Sequence, residues 1–155
     1  MARKSRKNID TAAATVPVAV KKWNVGGYVR LSAADRKQKG DSIENQKAII
    51  SAFIAEHSDM VLNEIYIDNG TTGQNFERDG FQRMLADMES GRIDCCVSKD
   101  LSRLGRNAID MGYYIEKYFP TRNIRYIAIT DNYDSADGNS NGIMVSLKNM
   151  VNETY

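Results

Sequence analysis

The sequence predicts an α/β fold: an open, mainly parallel β-sheet flanked by helices. Segments rich in β-branched and aromatic residues alternate with segments whose apolar residues recur at helical spacing, in the order β-α-β-α-β-α-β-α. Ile93–Val97 is an apolar run broken only by Asp94, the pattern of a strand buried on both faces. At 155 residues, with 42% hydrophobic and 26% charged residues, the chain has the length of one domain with a sizeable core.

Each element has its own signal. Trp23–Arg30 reads as the first strand and Ser32–Gly40 as a polar loop. Asp41 or Ser42 can cap a helix with Glu44 or Asn45 in its first turn, and Ile43, Ile49, Ile50, Phe53 and Ile54 give that helix an apolar side. His57, at its end, is expected to be exposed. Val61–Ile67 alternates as a second strand, and Asp68–Glu77 is an exposed loop. Asp79 opens a helix in which Phe81, Met84, Leu85 and Met88 follow i, i+3, i+4, i+7; Gly91 closes it. Ile93–Ser98 is the third strand, and its Cys95 and Cys96 read as buried residues in a reducing compartment rather than a disulfide framework. Asn107–Phe119 forms a third helix, stopped by Pro120, and Ile124–Thr130 a fourth strand. In the acidic loop Asp131–Ser140, turn chemistry explains Asp131, Asp134 and Asp137 better than a divalent-ion site does. Ile143, Met144, Leu147, Met150 and Val151 make a last amphipathic helix.

The net charge of +1 is informative once divided. Six of the 21 basic residues and one of the 20 acidic ones lie in residues 1–22, leaving 15 against 19, a net −4 for residues 23–155. The body is therefore not a general polyanion binder, and any arginines that meet phosphate must be locally concentrated. Residues 1–22 read as a disordered basic tail, with a DNA-tracking arm as the functional alternative; residues 23–155 form the folded domain. No apolar run approaches the ~20 residues of a membrane span. Asn152–Tyr155 carries no closing signal, and the chain is expected to continue in a longer protein.

Sites in open α/β sheets gather at the carboxyl ends of strands. Three candidate segments fall there: Tyr28-Val29-Arg30-Leu31-Ser32, the loop before Arg78, and Asp100-Leu101-Ser102-Arg103-Leu104-Gly105-Arg106. A hydroxyl among guanidiniums suits attack on a phosphodiester, because the planar fork of donors matches phosphate oxygens and stabilises the charge that builds on them. Taken singly, each residue has a plainer reading: Ser32 as a loop or cap serine, Arg30 and Arg78 as solvated cations, Arg103 and Arg106 as a basic helix start, Gln46 as a polar helix residue, Asp100 as half of an ion pair, and Tyr28 as core. Arg36, Lys37 and Lys39 read as a solvated loop face. Gly26-Gly27 makes no dinucleotide fingerprint.

Together, Tyr28–Ser32, then Ser42-Ile43-Glu44-Asn45-Gln46, then Arg78-Asp79-Gly80-Phe81, then Lys99–Asn107 resemble the catalytic domain of serine site-specific recombinases over almost the whole body, Trp23 to Tyr155. The large branch, that of phage integrases and conjugative-transposon recombinases, is the most similar. Small resolvases and invertases typically carry Asp immediately before the first arginine of the pair; here the residue is Ser102, as is common in the large branch. The resemblance implies a resolvase-like fold and DNA cleavage by Ser32 through a 5′-phosphoserine bond. Arg30, Arg78, Arg103 and Arg106 would bind the scissile phosphate, Gln46 would orient the site, and Asp100 would fix a guanidinium. It also implies a double-stranded DNA attachment site as partner, homodimers that assemble into tetramers, a possible directionality factor, no cofactor or metal, and a bacterial or phage-encoded cytoplasmic protein associated with the nucleoid. Integration or excision of a mobile element is the implied setting. The alternative is a non-enzymatic oligomerisation or DNA-associated module that keeps the fold without turnover.

Overall fold

A computed structural model describes residues 21–32, 42–70, 79–105 and 107–137. Residues 1–20, 33–41, 71–78, 106 and 138–155, which hold most of the expected basic tail and loops and the expected last helix, fall outside the described residues. Five strands form one sheet in the order β2-β1-β3-β4-β5: β1 Trp23–Leu31, β2 Met60–Asn69, β3 Cys95–Ser98, β4 Arg125–Ala128 and β5 Tyr133–Asp134. The first four are parallel; β5 runs antiparallel to β4. The helices are α1 Ile43–Ala55, α2 Asp79–Glu89, and α3, which runs as an α-helix Ala108–Tyr113, a π-helical stretch Tyr114–Tyr118 and a last turn Phe119–Thr121. The mostly parallel sheet with flanking helices is the predicted fold class. Among the described residues no helix is long and apolar enough to cross a membrane.

The period of two along each strand separates two cores. Val25 and Val29 of β1, Cys95 and Val97 of β3, and Ile127 of β4 join Ile50 and Ile54 of α1. Tyr28, Tyr66, Cys96 and Tyr126 on the other sheet face meet Phe81 and Met84 of α2 and Met111, Ile115 and Phe119 of α3. Successive side chains of a strand point to opposite faces, so a buried central strand must be apolar on both. Hence the apolar Cys95–Val97 of β3, a strand whose four residues are all buried. Both cysteines are buried, as expected.

Several boundaries match their signals. Ser42 caps α1, its Oγ accepting the Asn45 N–H at 3.0 Å. Gly91 ends α2 with φ +82°, a conformation in which a side chain would be strained.

Other boundaries differ from expectation. Asp68 and Asn69, expected in a loop, belong to β2, which pairs with β1 as far as Leu31. The third strand starts at Cys95 rather than Ile93, and the fourth is shorter than expected. The third helix passes Pro120 instead of stopping before it. Proline removes one helical donor and crowds the turn before it, and the wider π turn ends two residues upstream of that position. The acidic loop contains a strand, because Asp134 forms a two-pronged ion pair with Arg125 across the β4–β5 ladder, at 2.9 and 2.6 Å. His57 is half-buried, with Nδ1 2.7 Å from the Phe53 carbonyl and its ring against the Phe53 ring.

Candidate active site

The strand order places the carboxyl ends of β1 and β3 side by side, with Tyr28 opposite Ser98 in the ladder. The connection through α1 leads from β1 to β2 on one side of it, while the connection through α2 crosses back to β3 on the other. The crevice therefore lies at the switch point, where open α/β sheets carry their sites. Arg30 is the penultimate residue of β1, and half-buried Ser32 follows the strand directly.

Beyond β3 the chain turns through Lys99 and Asp100 into a single 3-10 turn, Leu101–Arg103. Asp100 caps this turn, accepting the Ser102 N–H at 3.0 Å, and its Oδ1 lies 3.5 Å from Arg103 Nε. The expected choice between ion pair and active-site role thus gains a definite structural half: Asp100 caps the turn and holds a guanidinium. A buried charge is costly unless paired. Arg103 is only 3% exposed, and its Nη1 donates to the Arg30 carbonyl at 3.0 Å. The contact is reciprocal: Arg30 Nε donates to the Arg103 carbonyl at 3.3 Å, and Arg30 Nη2 donates to the Ser102 carbonyl. Each arginine binds the main chain of the other's segment.

Gln46 completes this junction from α1. Its carboxamide oxygen accepts the Arg30 N–H at 3.3 Å and its nitrogen donates to the Arg30 carbonyl at 3.0 Å. A carboxamide carries one acceptor and one donor group, as a peptide unit does, so fully buried Gln46 takes the place of a neighbouring strand at this point. Gly105 lets the arginine segment pass close to α3. A Cβ there would sit 2.9 Å from the Met111 backbone nitrogen. Arg30, Gln46, Asp100 and Arg103 are therefore brought together beside the segment that ends in Ser32. Arg78 and Arg106 lie outside the described residues.

One residue of this crevice was not singled out by sequence. Asp68, at the end of β2, accepts the Tyr28 hydroxyl at 2.7 Å and the N–H groups of Gly80 and Phe81 at 2.8 and 2.9 Å. It caps α2 from a neighbouring element, where a negative charge also meets the positive end of the helix. Tyr28 is thus both core, edge-on to Phe81, and a polar contact of the site. The available signal was a carboxylate at a strand end opposite a buried tyrosine, but those residues are forty positions apart. Asp131 accepts the distant Leu101 N–H and Asp134 pairs with Arg125 across the ladder, partners that turn chemistry alone does not supply; the local turn bond at Asp134 is the one it accepts from the Ala136 N–H, at 3.0 Å.

Residues 25–155 match the family model described as Resolvase, N terminal domain. Among solved structures, the N-terminal catalytic domain of TP901-1 integrase is similar at 26% identity and a TM-score of 0.67, over 84% of this chain and 95% of that one. A resolvase family site-specific recombinase from Streptococcus pneumoniae is similar at 28% identity and a TM-score of 0.66, over 86% of this chain and 87% of that one. Uncharacterized immunity region protein 3 of Bacillus phage phi105 is 34% identical over 74 residues, 47% of this chain and 88% of that protein.

Proposed function

The chain belongs to the resolvase N-terminal-domain family of site-specific recombinases, and on that premise we propose that it cleaves and rejoins DNA through a covalent bond to Ser32. The observation that carries this reading is the reciprocal contact of Arg30 and Arg103 beside the strand that leads into Ser32. It sets two arginines against the end of the strand that leads to Ser32, in a body that is net acidic, which supports the reading.

In the proposed reaction the Ser32 Oγ attacks the scissile phosphorus. The Oγ–P bond forms and the bond from phosphorus to the 3′ oxygen breaks, leaving a 5′-phosphoserine. The serine loses its proton and the departing 3′ oxygen gains one. Arg30, Arg78, Arg103 and Arg106 stabilise the charge on the non-bridging oxygens, where fixed cations act more strongly than mobile water. A neutral serine is a weak nucleophile, and adjacent guanidiniums lower the cost of its alkoxide. Gln46 and Asp100 orient the arginines. A free 3′-hydroxyl then reverses the step on the exchanged strand. The phosphoserine ester keeps the free energy of the broken bond, so strand exchange needs no nucleotide or redox cofactor as an energy source.

The proposed substrate is a double-stranded attachment site, paired by homodimers that assemble into a tetramer, with integration or excision of a mobile element as the outcome. A directionality factor would set which of the two occurs. The proposed setting is the cytoplasm of a bacterial cell, on DNA of the host or a phage. The test incubates the intact protein with labelled DNA carrying its site. Denaturing gels are expected to show a covalent adduct with the parent and none with Ser32→Ala. An adduct that persists in Ser32→Ala contradicts the nucleophile; the absence of any adduct where paired sites assemble supports a non-enzymatic module.

A further inference from the structure

The turn that carries Arg103 is held bond by bond by the exit of β4. The Ser98 carbonyl accepts the Ile129 N–H at 3.1 Å. The Lys99 carbonyl accepts both the N–H and the hydroxyl of Thr130, at 2.8 and 3.0 Å. The Leu101 N–H donates to Asp131 Oδ2 at 2.7 Å. Ser98 Oγ donates to the Asp100 carbonyl at 2.9 Å and lies 2.7 Å from the Tyr126 hydroxyl. Because Ser98 uses its proton on Asp100, the Tyr126 phenol is the donor to Ser98. The result is a one-way relay from Tyr126 through Ser98 to the main chain of the arginine segment.

This relay is a polar insertion in an apolar core. Ser98 is fully buried and Tyr126 is 1% exposed. Buried hydroxyls cost free energy unless hydrogen-bonded, and an alanine facing a phenylalanine would avoid that cost. Burial, then the neighbouring Cys96, push the phenol well above its ordinary pKa, so it remains a donor. Asp131 is a surface residue, yet one carboxylate oxygen serves a main-chain N–H of the segment that reaches the crevice.

Resting on the recombinase reading above, we infer that Asp131 and the Tyr126–Ser98 hydroxyl pair are positioning residues for strand cleavage. They hold the Lys99–Arg103 turn in register against β1 and so keep Arg103 beside the Ser32 end of that strand. None of the three touches the reacting atoms. Their leverage comes from geometry, since a displacement of ~1 Å in a catalytic group costs on the order of 100-fold in rate.

The experiment compares Asp131→Ala, Asp131→Asn and Tyr126→Phe with the parent, as intact protein on DNA carrying its site. Asp131→Ala is expected to lower the cleavage rate at saturating DNA on the order of 100-fold, with the half-saturating DNA concentration and the far-UV dichroism unchanged. Asp131→Asn offers an amide oxygen to the same Leu101 N–H and is expected to recover most of the rate. Amide exchange at Leu101 should accelerate in the alanine variant but not in the asparagine one. Tyr126→Phe keeps the ring and loses only the donor; it should also slow cleavage without weakening DNA binding. Should Asp131→Ala fail to fold, Tyr126→Phe decides alone. The inference is overturned by parental cleavage rates in Tyr126→Phe and Asp131→Ala, by joint loss of rate and DNA affinity, or by an asparagine variant no faster than alanine. A parent without a Ser32-dependent adduct overturns the recombinase reading and this inference with it.

Discussion

Arg30 is the residue on which the candidate site converges, because three side-chain interactions meet at its main chain and guanidinium. Gln46 binds both its N–H and its carbonyl, Arg103 shares that carbonyl, and its own guanidinium clasps the Arg103 turn. Gln46→Ala is expected to lower stability by about 1–3 kcal/mol through the loss of two hydrogen bonds, read as a shift in the urea midpoint at unchanged slope. The same variant should slow adduct formation, because the end of β1 loses its fixed partner. Most of these residues were legible in sequence as an ordered set of short motifs. Their partners were less so. The Arg30–Arg103 contact spans 73 positions and the Tyr28–Asp68 bond spans 40. No local window relates such residues, which is why Asp68 read as a loop residue.

At the scale of elements, β-branched, aromatic and apolar runs located β1 and β3, helical spacing located α1 and α2, and cap chemistry at Ser42 and Gly91 fixed two ends. Where the sequence reading went astray, a local rule met a tertiary one. Pro120 did not end α3, because the chain before it widens into a π turn. A two-residue strand gives no period to read, and β5 exists through its pairing with β4 and the Arg125–Asp134 ion pair. Burial alone would raise the Asp134 carboxyl; hydrogen bonds from Arg125 and the Ala136 N–H more than offset it and hold the group below its ordinary value. A carboxylate held low in the folded state stabilises the fold above its unfolded pKa and loses that contribution as pH falls through the folded value. Asp134→Asn is therefore expected to cost roughly 1.5–3 kcal/mol near neutral pH. The gap to the parent should close as the pH falls below about 3.9, the ordinary aspartate value. Denaturant unfolding of both proteins from pH 7 down to the acid limit measures this; a gap that widens in acid contradicts the assignment.

The whole molecule is a sheet with a core on each face, and both cores bury a cysteine: Cys95 lies toward α1 and Cys96 toward α2 and α3. Burial pushes the Cys95 thiol up to about 12, the Arg125 charge only partly opposing it. Thiolate is the reactive form, so iodoacetamide at pH 8 should leave Cys95 unmodified in the native protein and label it only on unfolding, as read by peptide mass spectrometry. Fast native labelling would mean that the α1 face opens. With a net acidic body, the domain is expected to have little electrostatic affinity for DNA of its own. Under the proposed function, binding then depends on parts that concentrate the domain at its site, and the arginines act once there. That division of labour rests on Ser32 as the nucleophile, which one measurement tests most directly. The covalent complex formed by the intact protein on its DNA site is digested with nuclease and protease, and the modified peptide is sequenced by mass spectrometry. The account predicts a 5′-linked nucleotide on Ser32 and no modified peptide from Ser32→Ala. A nucleotide on another residue, or a 3′ linkage, contradicts it.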